Sequence, residues 1–240
     1  MVDGVSLDLA AGETLALIGH SGCGKTTTLK MLNRLVEPDA GEVWLGGTRA
    51  HDMPAHEWRR RIGFVIQSAG LFPHRSVAEN VLVTPRLLGW DEGRQKKKLD
   101  ELLSMVGLPA ERYADRYPTA LSGGERQRVG LARALAGEPE IILMDEPFAA
   151  LDPITRTSLI DDMARLKKEL GFASVLVTHD FAEALRLSDR VAVMDGGQIV
   201  QKGTPADLIA LPATDTVRDL LAAPRRLAET VGRAFTGHKT

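Results

Sequence analysis

The chain has 240 residues, 44% of them apolar, and a formal net charge of −2, so it is long enough for one large domain with a substantial core. Its near-balanced charge argues against a nucleic-acid polyanion as partner. The single cysteine, Cys23, excludes an intrachain disulfide, and no apolar run approaches the ~18 residues of a membrane span. Taken in chain order, Leu15–Ile18 reads as a short buried strand, and Leu29, Leu32 and Leu35 at helical spacing predict a helix over Thr27–Leu35. Between them stands Gly19-His20-Ser21-Gly22-Cys23-Gly24-Lys25-Thr26, which fits G-x-x-x-x-G-K-[ST] at every fixed position. A glycine turn from strand to helix aims backbone N–H groups and the positive end of the helix dipole at one point, which phosphate oxygens fill. The cradle would run from Gly19 to Thr27, with Lys25 reaching the β- and γ-phosphates of a nucleoside triphosphate and the Thr26 hydroxyl on Mg²⁺. Cys23 reads as a small loop-filling residue, because its position is not one of the fixed ones.

Further strands are expected at Val43–Leu45, Ile62–Ile66, Ile141–Met144, Ser174–Thr178, Val191–Met194 and Ile199–Gln201. Helices are expected at Arg126–Ala136, Ile154–Leu170 and Phe181–Leu187, and this alternation predicts an α/β fold with a mostly parallel core sheet. The stretch from about Val77 to Ala120 is charge-rich, with Leu99, Leu102, Leu103 and Val106 at helical spacing, and reads as an inserted helical subdomain. The basic clusters Arg59-Arg60-Arg61 and Lys96-Lys97-Lys98 read as solvated helix faces. Residues 1–224 would form one catalytic domain, and 225–240 a short basic tail.

Two more segments carry chemistry. Ile141-Ile142-Leu143-Met144 followed by Asp145-Glu146 is an apolar strand that would deliver Asp145 to its C-terminal edge, beside the phosphate loop, to hold Mg²⁺. Glu146 would point one residue further, towards an attacking water. Leu121-Ser122-Gly123-Gly124-Glu125 is a second glycine turn opening a helix. Ser122 suits an N-cap and a capping motif accounts for Ser122 and Glu125, but Gly123 and Gly124 weaken a helix unless something must come close.

The phosphate loop, Gln67, Leu121–Gly124, Ile141–Glu146, Ala150-Leu151-Asp152 and His179 stand in the order and spacing of the ATP-binding cassette (ABC) ATPases, which the chain resembles from Val5 to about Leu220. The resemblance implies a phosphate-loop nucleotide-binding domain with a β subdomain, whose N-terminal strand looks absent, and the helical insertion. It implies that Gln67 touches Mg²⁺ or water, that Glu146 is the general base and that His179 contacts the γ-phosphate. It further implies that Ser122, Gly123, Gly124, Glu125 and Asp152 meet ATP or the interface of a second copy. Two such chains would close head-to-tail around two ATP and act on transmembrane permease subunits, and indirectly on a substrate-binding protein, from the cytoplasmic face of the membrane.

Within that family the chain most resembles importer ATPases for osmoprotectants such as glycine betaine, choline, carnitine or proline betaine. Thr27–Leu35, Gly63–Gln67, Gly70–His74 and Asp152–Arg156 carry this likeness. Import of a polar amino acid or another small solute by the same engine stays open. A soluble ABC protein of the DNA-repair, chromosome-organising or ribosome-associated kind fits less well, since no long heptad run separates the phosphate loop from the Leu-Ser-Gly-Gly motif. Two departures stand out. Relatives open with a further strand carrying an aromatic that stacks on adenine, whereas no Phe, Tyr or Trp precedes Gly19 here; a start assigned too late, or a truncation, is the expected cause. Many osmoprotectant ATPases also carry paired regulatory modules after the cassette, where this chain has only its short tail.

Overall fold

The computed structural model describes residues 1–222, so the tail expected at 225–240 lies outside the described residues. Its centre is β1 (Thr14–Ile18), whose five residues are all buried; it ends in the phosphate loop, which leads into α1 (Lys25–Leu32). The helix begins earlier than periodicity suggests, directly after Gly24 (φ 109°). It also ends earlier, because Arg34 turns left-handed (φ 50°) and leaves Leu35 outside and exposed. A small antiparallel hairpin follows, β2 (Trp44–Leu45) and β3 (Thr48–Arg49). It turns on Gly46 and Gly47, both with positive φ as a tight two-residue hairpin turn requires. Next come α2 (Ala55–Arg60) and β4 (Ile62–Val65).

Four helices then run through the charge-rich stretch: α3 (Val77–Val81), α4 (Val83–Leu87), α5 (Glu92–Met105) and α6 (Ala110–Tyr113). After them stand α7 (Gly123–Leu135), β5 (Ile141–Asp145), α8 (Pro153–Leu170), β6 (Ala173–Val177), α9 (Phe181–Leu187), β7 (Arg190–Asp195), β8 (Gln198–Gly203) and α10 (Pro205–Ala210). Residues 215–222 are helical as well.

The main sheet has the order β4-β5-β6-β1-β7-β8, parallel except for the antiparallel edge pair β7–β8. Its inner strands are apolar on both faces because helices cover both sides. Leu15 and Leu17 join Leu29 of α1 and Trp58 of α2 on one side, while Ala16 and Ile18 face Phe181, Ala184 and Leu208 on the other. Ile142 and Met144 pack into a third cluster with α7, α8 and the helices of the charge-rich stretch. Register decides where the chemistry falls. Leu17 and Asp145 both pair with Val177, and Val65 pairs with Met144, so the segments after β1, β4, β5 and β6 leave the sheet at one edge. Ligands of open parallel sheets bind at that carboxyl edge.

Arg61 is more than part of a solvated face. It bridges the Glu140 carboxylate (2.5 and 2.8 Å) and the Leu45 carbonyl (3.0 Å), tying the hairpin to the sheet. Arg59 likewise donates to the carbonyls of Asn33 and Arg34 just past α1.

Candidate functional site

The phosphate loop takes its shape from backbone that only glycine adopts without strain. Gly19 has φ 154°, and a Cβ there would stand 2.2 Å from the Met194 carbonyl oxygen and 2.8 Å from Cys23 Sγ. Gly24 (φ 109°) opens α1, with Val2 and the Met1 carbonyl packed against it. His20, Ser21 and Gly22 are exposed at the loop crest, whereas Cys23 and Lys25 are buried beneath it and Thr26 and Thr27 are half-buried. Lys25 Nζ donates to the carbonyls of Gly19 (2.8 Å) and His20 (2.9 Å), so its charge is centred under the loop. Cys23 Sγ lies 3.8 Å from the same Nζ, consistent with a filler of that small space.

The Thr26 hydroxyl donates to Asp145 Oδ1 at 2.9 Å, joining the first turn of α1 to the end of β5. Burial pushes the Asp145 carboxyl above the usual carboxylate range; the Thr26 bond opposes the rise and the Glu146 charge adds to it. Glu146 has a left-handed backbone (φ 45°), and its N–H donates to the Val177 carbonyl at 2.9 Å. That conformation costs a non-glycine residue about 1–3 kcal/mol and turns the side chain away from the strand direction. It meets His179 there, with Nδ1 3.4 Å from Glu146 Oε2. Gln67 is exposed on the loop after β4, at the same sheet edge.

The Ser122 turn is a complete capping box. Ser122 Oγ accepts from the Glu125 N–H (3.2 Å), and a Glu125 carboxylate oxygen accepts from the Ser122 N–H (2.7 Å). The Tyr113 hydroxyl donates to the other Glu125 oxygen at 2.8 Å. The two glycines divide in role. A Cβ on Gly124 would lie 2.4 Å from Thr155 Cγ2, so Gly124 is needed for packing within the chain. One on Gly123 would meet only ordinary contacts near 4 Å, so no internal packing demands that glycine. Asp152 is exposed and caps α8 by accepting from the N–H groups of Ile154 and Thr155, both at 3.1 Å. Among the described residues, no hydrogen bond or ion pair joins the Ser122–Glu125 turn to the Gly19–Thr27 loop.

Two side chains that motif reading passed over organise the Gln67 loop. Gln127 is buried in α7 and donates to the Pro147 carbonyl at 2.6 Å and towards that of Ile66 at 3.5 Å. Arg133, two turns on, donates to the carbonyls of Ala69 and Gly70, both at 2.7 Å. Between them Gly130 leaves room for Ala69, whose α-carbon a Cβ would approach to 3.4 Å. The only signal in the sequence is spacing: Gln127, Gly130 and Arg133 recur every three residues along one side of α7, among other charged residues that make them hard to single out.

An edge where a glycine turn opens a helix over one buried cationic side chain, beside a hydroxyl–carboxylate pair, suits a polyphosphate, which places this fold among the phosphate-loop nucleotide-binding proteins. The chain belongs to the ABC transporter family, whose pattern matches residues 2–149. It is 50% identical over 224 residues to the choline transport ATP-binding protein OpuBA of Bacillus subtilis (strain 168), covering 93% of this chain and 58% of that protein. It is also 50% identical over 217 residues to the glycine betaine uptake system ATP-binding protein YehX of Escherichia coli (strain K12), covering 90% of this chain and 70% of that one. The chain thus spans about three-fifths of the length of several curated relatives it matches. Among solved structures, the dimeric post-hydrolysis state of the ATP-binding cassette MJ0796 bound to ADP and Pi superposes with a TM-score of 0.75 at 34% identity, covering 85% of this chain and 90% of that one. No helix among the described residues is long and apolar enough to cross a membrane.

Proposed function

We propose that this chain is the ATP-hydrolysing subunit of an importer for an osmoprotectant, a quaternary amine such as glycine betaine, choline or carnitine. The observation that carries the reading is the common edge of β1, β4, β5 and β6, which gathers Lys25, Thr26, Gln67, Asp145, Glu146 and His179. The quaternary amine follows from relatives named for choline and glycine betaine transport at about half identity.

In this reading the loop N–H groups from Gly19 to Thr27 and the Lys25 ammonium bind the β- and γ-phosphates. Thr26 and Asp145 offer a hydroxyl and a carboxylate 2.9 Å apart, hard oxygen donors that suit Mg²⁺, and Gln67 stands at the same edge. Mg²⁺, when bound, neutralises charge on the phosphate oxygens. Glu146 orients the attacking water and accepts its proton, yielding ADP and phosphate from ATP and water, and His179 beside it donates to the γ-phosphate. Ser122, Gly123, Gly124, Glu125 and Asp152 serve the ATP held by a second copy. The free Gly123 and the lack of any tie from this turn to its own phosphate loop support that role. Two copies therefore close around two ATP and open after hydrolysis. Swinging such an equilibrium from 1:99 to 99:1 takes about 5.5 kcal/mol of differential binding. The four helices between 77 and 120 form the helical subdomain, and the pair works peripherally on permease subunits at the inner membrane face, fed by a substrate-binding protein.

The test is uptake of labelled glycine betaine and choline at high osmolarity, in cells whose other carriers are deleted, with the wild-type gene or Lys25→Ala. Loss of uptake in the variant is expected. Unchanged uptake, with labelled polar amino acids failing to enter the variant, would move the substrate to that class.

A further inference from the structure

The turn that carries His179 is held by a buried carboxylate to which the chemistry above gives no part. Glu183, in the first turn of α9, is only 4% exposed, and Thr178, at the end of β6, is 1% exposed. Thr178 Oγ1 donates to Glu183 Oε2 at 2.5 Å and accepts from the Asp180 N–H at 3.0 Å. His179 therefore sits between two neighbours pinned through one hydroxyl. On the other side of Glu183 stands Arg156 of α8, with Nε 4.0 Å from Glu183 Oε1 and Nη1 4.0 Å from Asp180 Oδ2. Its Nη2 donates to the Leu151 carbonyl at 3.3 Å, next to Asp152. Arg156 Nε is buried and has no hydrogen-bond partner. A buried guanidinium N–H is costly to leave unpaired, and the acceptor it faces needs to come about 1 Å nearer to reach the roughly 2.9 Å of a charge-assisted bond. Burial pushes the Glu183 carboxyl up, against the Thr178 bond and the nearby Arg156 and His179, while Asp180 adds to the rise.

We propose that Glu183 is a positioning residue: through Thr178 it fixes His179 against Glu146, and through Arg156 it couples that placement to the segment at Leu151–Asp152. The inference rests on the ATP-hydrolysis reading above. A carboxylate that merely complements the α9 dipole would affect stability alone, whereas a positioning carboxylate affects turnover and the state of the His179 ring.

The experiment compares Thr178→Val, Thr178→Ser, Glu183→Ala and Glu183→Gln in two readouts. In steady-state ATP hydrolysis, Thr178→Val and Glu183→Ala should lower kcat by roughly 10- to 100-fold, the scale of a mispositioned catalytic group, with KM for ATP within twofold. Thr178→Ser and Glu183→Gln, which keep the hydroxyl-to-oxygen bond, should recover most of the loss. In protein labelled with ¹⁵N-histidine and free of nucleotide, the His179 ring signal, assigned by its disappearance in His179→Asn, should shift or broaden in Thr178→Val and stay near its place in Thr178→Ser. An unmoved ring signal in Thr178→Val, or equal losses for Val and Ser, would overturn the proposal. If Lys25→Ala and Glu146→Gln leave hydrolysis unchanged, the ATPase reading fails, and the ring signal still decides the positioning role. Should Glu183→Ala not fold, the Thr178 pair carries the test.

Discussion

Replacing Arg133 by methionine tests whether α7 sets the shape of the loop that follows β4. The guanidinium forks onto two carbonyls at 2.7 Å, those of Ala69 and Gly70, which both have left-handed backbones (φ 60° and 53°). For Ala69 that conformation costs about 1–2 kcal/mol, so the loop keeps it only while the contacts on α7 hold. Hydrogen bonds from a charged donor contribute about 1.5–3 kcal/mol each, or roughly 3–6 kcal/mol for the pair. Burial of the guanidinium, which pushes its pKa down, subtracts from this, and methionine fills most of the same volume without that penalty. The net loss should be about 1–3 kcal/mol. At ~2–4 °C per kcal/mol for a chain of this size, the melting temperature should fall by ~2–12 °C. Turnover should fall too, because Gln67 rides on the released loop. Arg133→Lys, which keeps the charge but places its donors on one nitrogen of a shorter side chain, should lie between. Thermal unfolding by circular dichroism and steady-state ATP hydrolysis are the assays. A melting temperature within 1 °C of wild type together with unchanged turnover would show that the Arg133 fork does not hold the loop.

Gly124→Ala should destabilise by about 1–3 kcal/mol, since its Cβ would stand 2.4 Å from Thr155 Cγ2. Adding Thr155→Ser removes that methyl group and should restore most of the loss; a double variant no better than the single would show that packing is not the cause. Gly19→Ala should abolish nucleotide binding, because the backbone carbonyl of Met194, 2.2 Å from the new Cβ, cannot swing aside. Equilibrium binding of a fluorescent ATP analogue measures this, and wild-type affinity would contradict it. The N–H of Ser122 and then the Tyr113 hydroxyl hold the Glu125 carboxyl below the usual range. Its stabilisation is present above the unfolded value of about 4.3 and is lost as pH falls through the lower folded value. Glu125→Gln should therefore melt below wild type at pH 7 and converge on it in more acidic solution; an equal gap at pH 3 and pH 7 would count against that assignment.

The sheet was legible because its inner strands are apolar on both faces, as in the buried run of β1. The glycine turn after β1 and the acidic pair at the end of β5 were legible because both follow a fixed pattern of residue types, and the fold sets Thr26 of one against Asp145 of the other. Short elements were less so. The six-residue helices α2 and α10 span fewer than two turns, too few for a 3.6-residue period to show. Periodicity also overran α1, since Leu35 keeps the spacing while the backbone at Arg34 ends the helix. The supports of the site stayed hidden for a different reason. Arg133, Gln127 and Glu183 act on carbonyls and hydroxyls from other elements, and such partners exist only once the chain has folded. The left-handed turn at Glu146, which swings its carboxylate to His179, likewise has no signature in residue type.

In the proposed cycle two copies close around ATP held by one phosphate loop and the opposite Ser122 turn. Its most direct test is the mass of Glu146→Gln in solution, by light scattering after size exclusion, with and without saturating Mg-ATP. A monomer that becomes a dimer only with ATP is expected, with a return to monomer when Lys25→Ala is added. A Glu146→Gln protein that binds ATP and stays monomeric would contradict it.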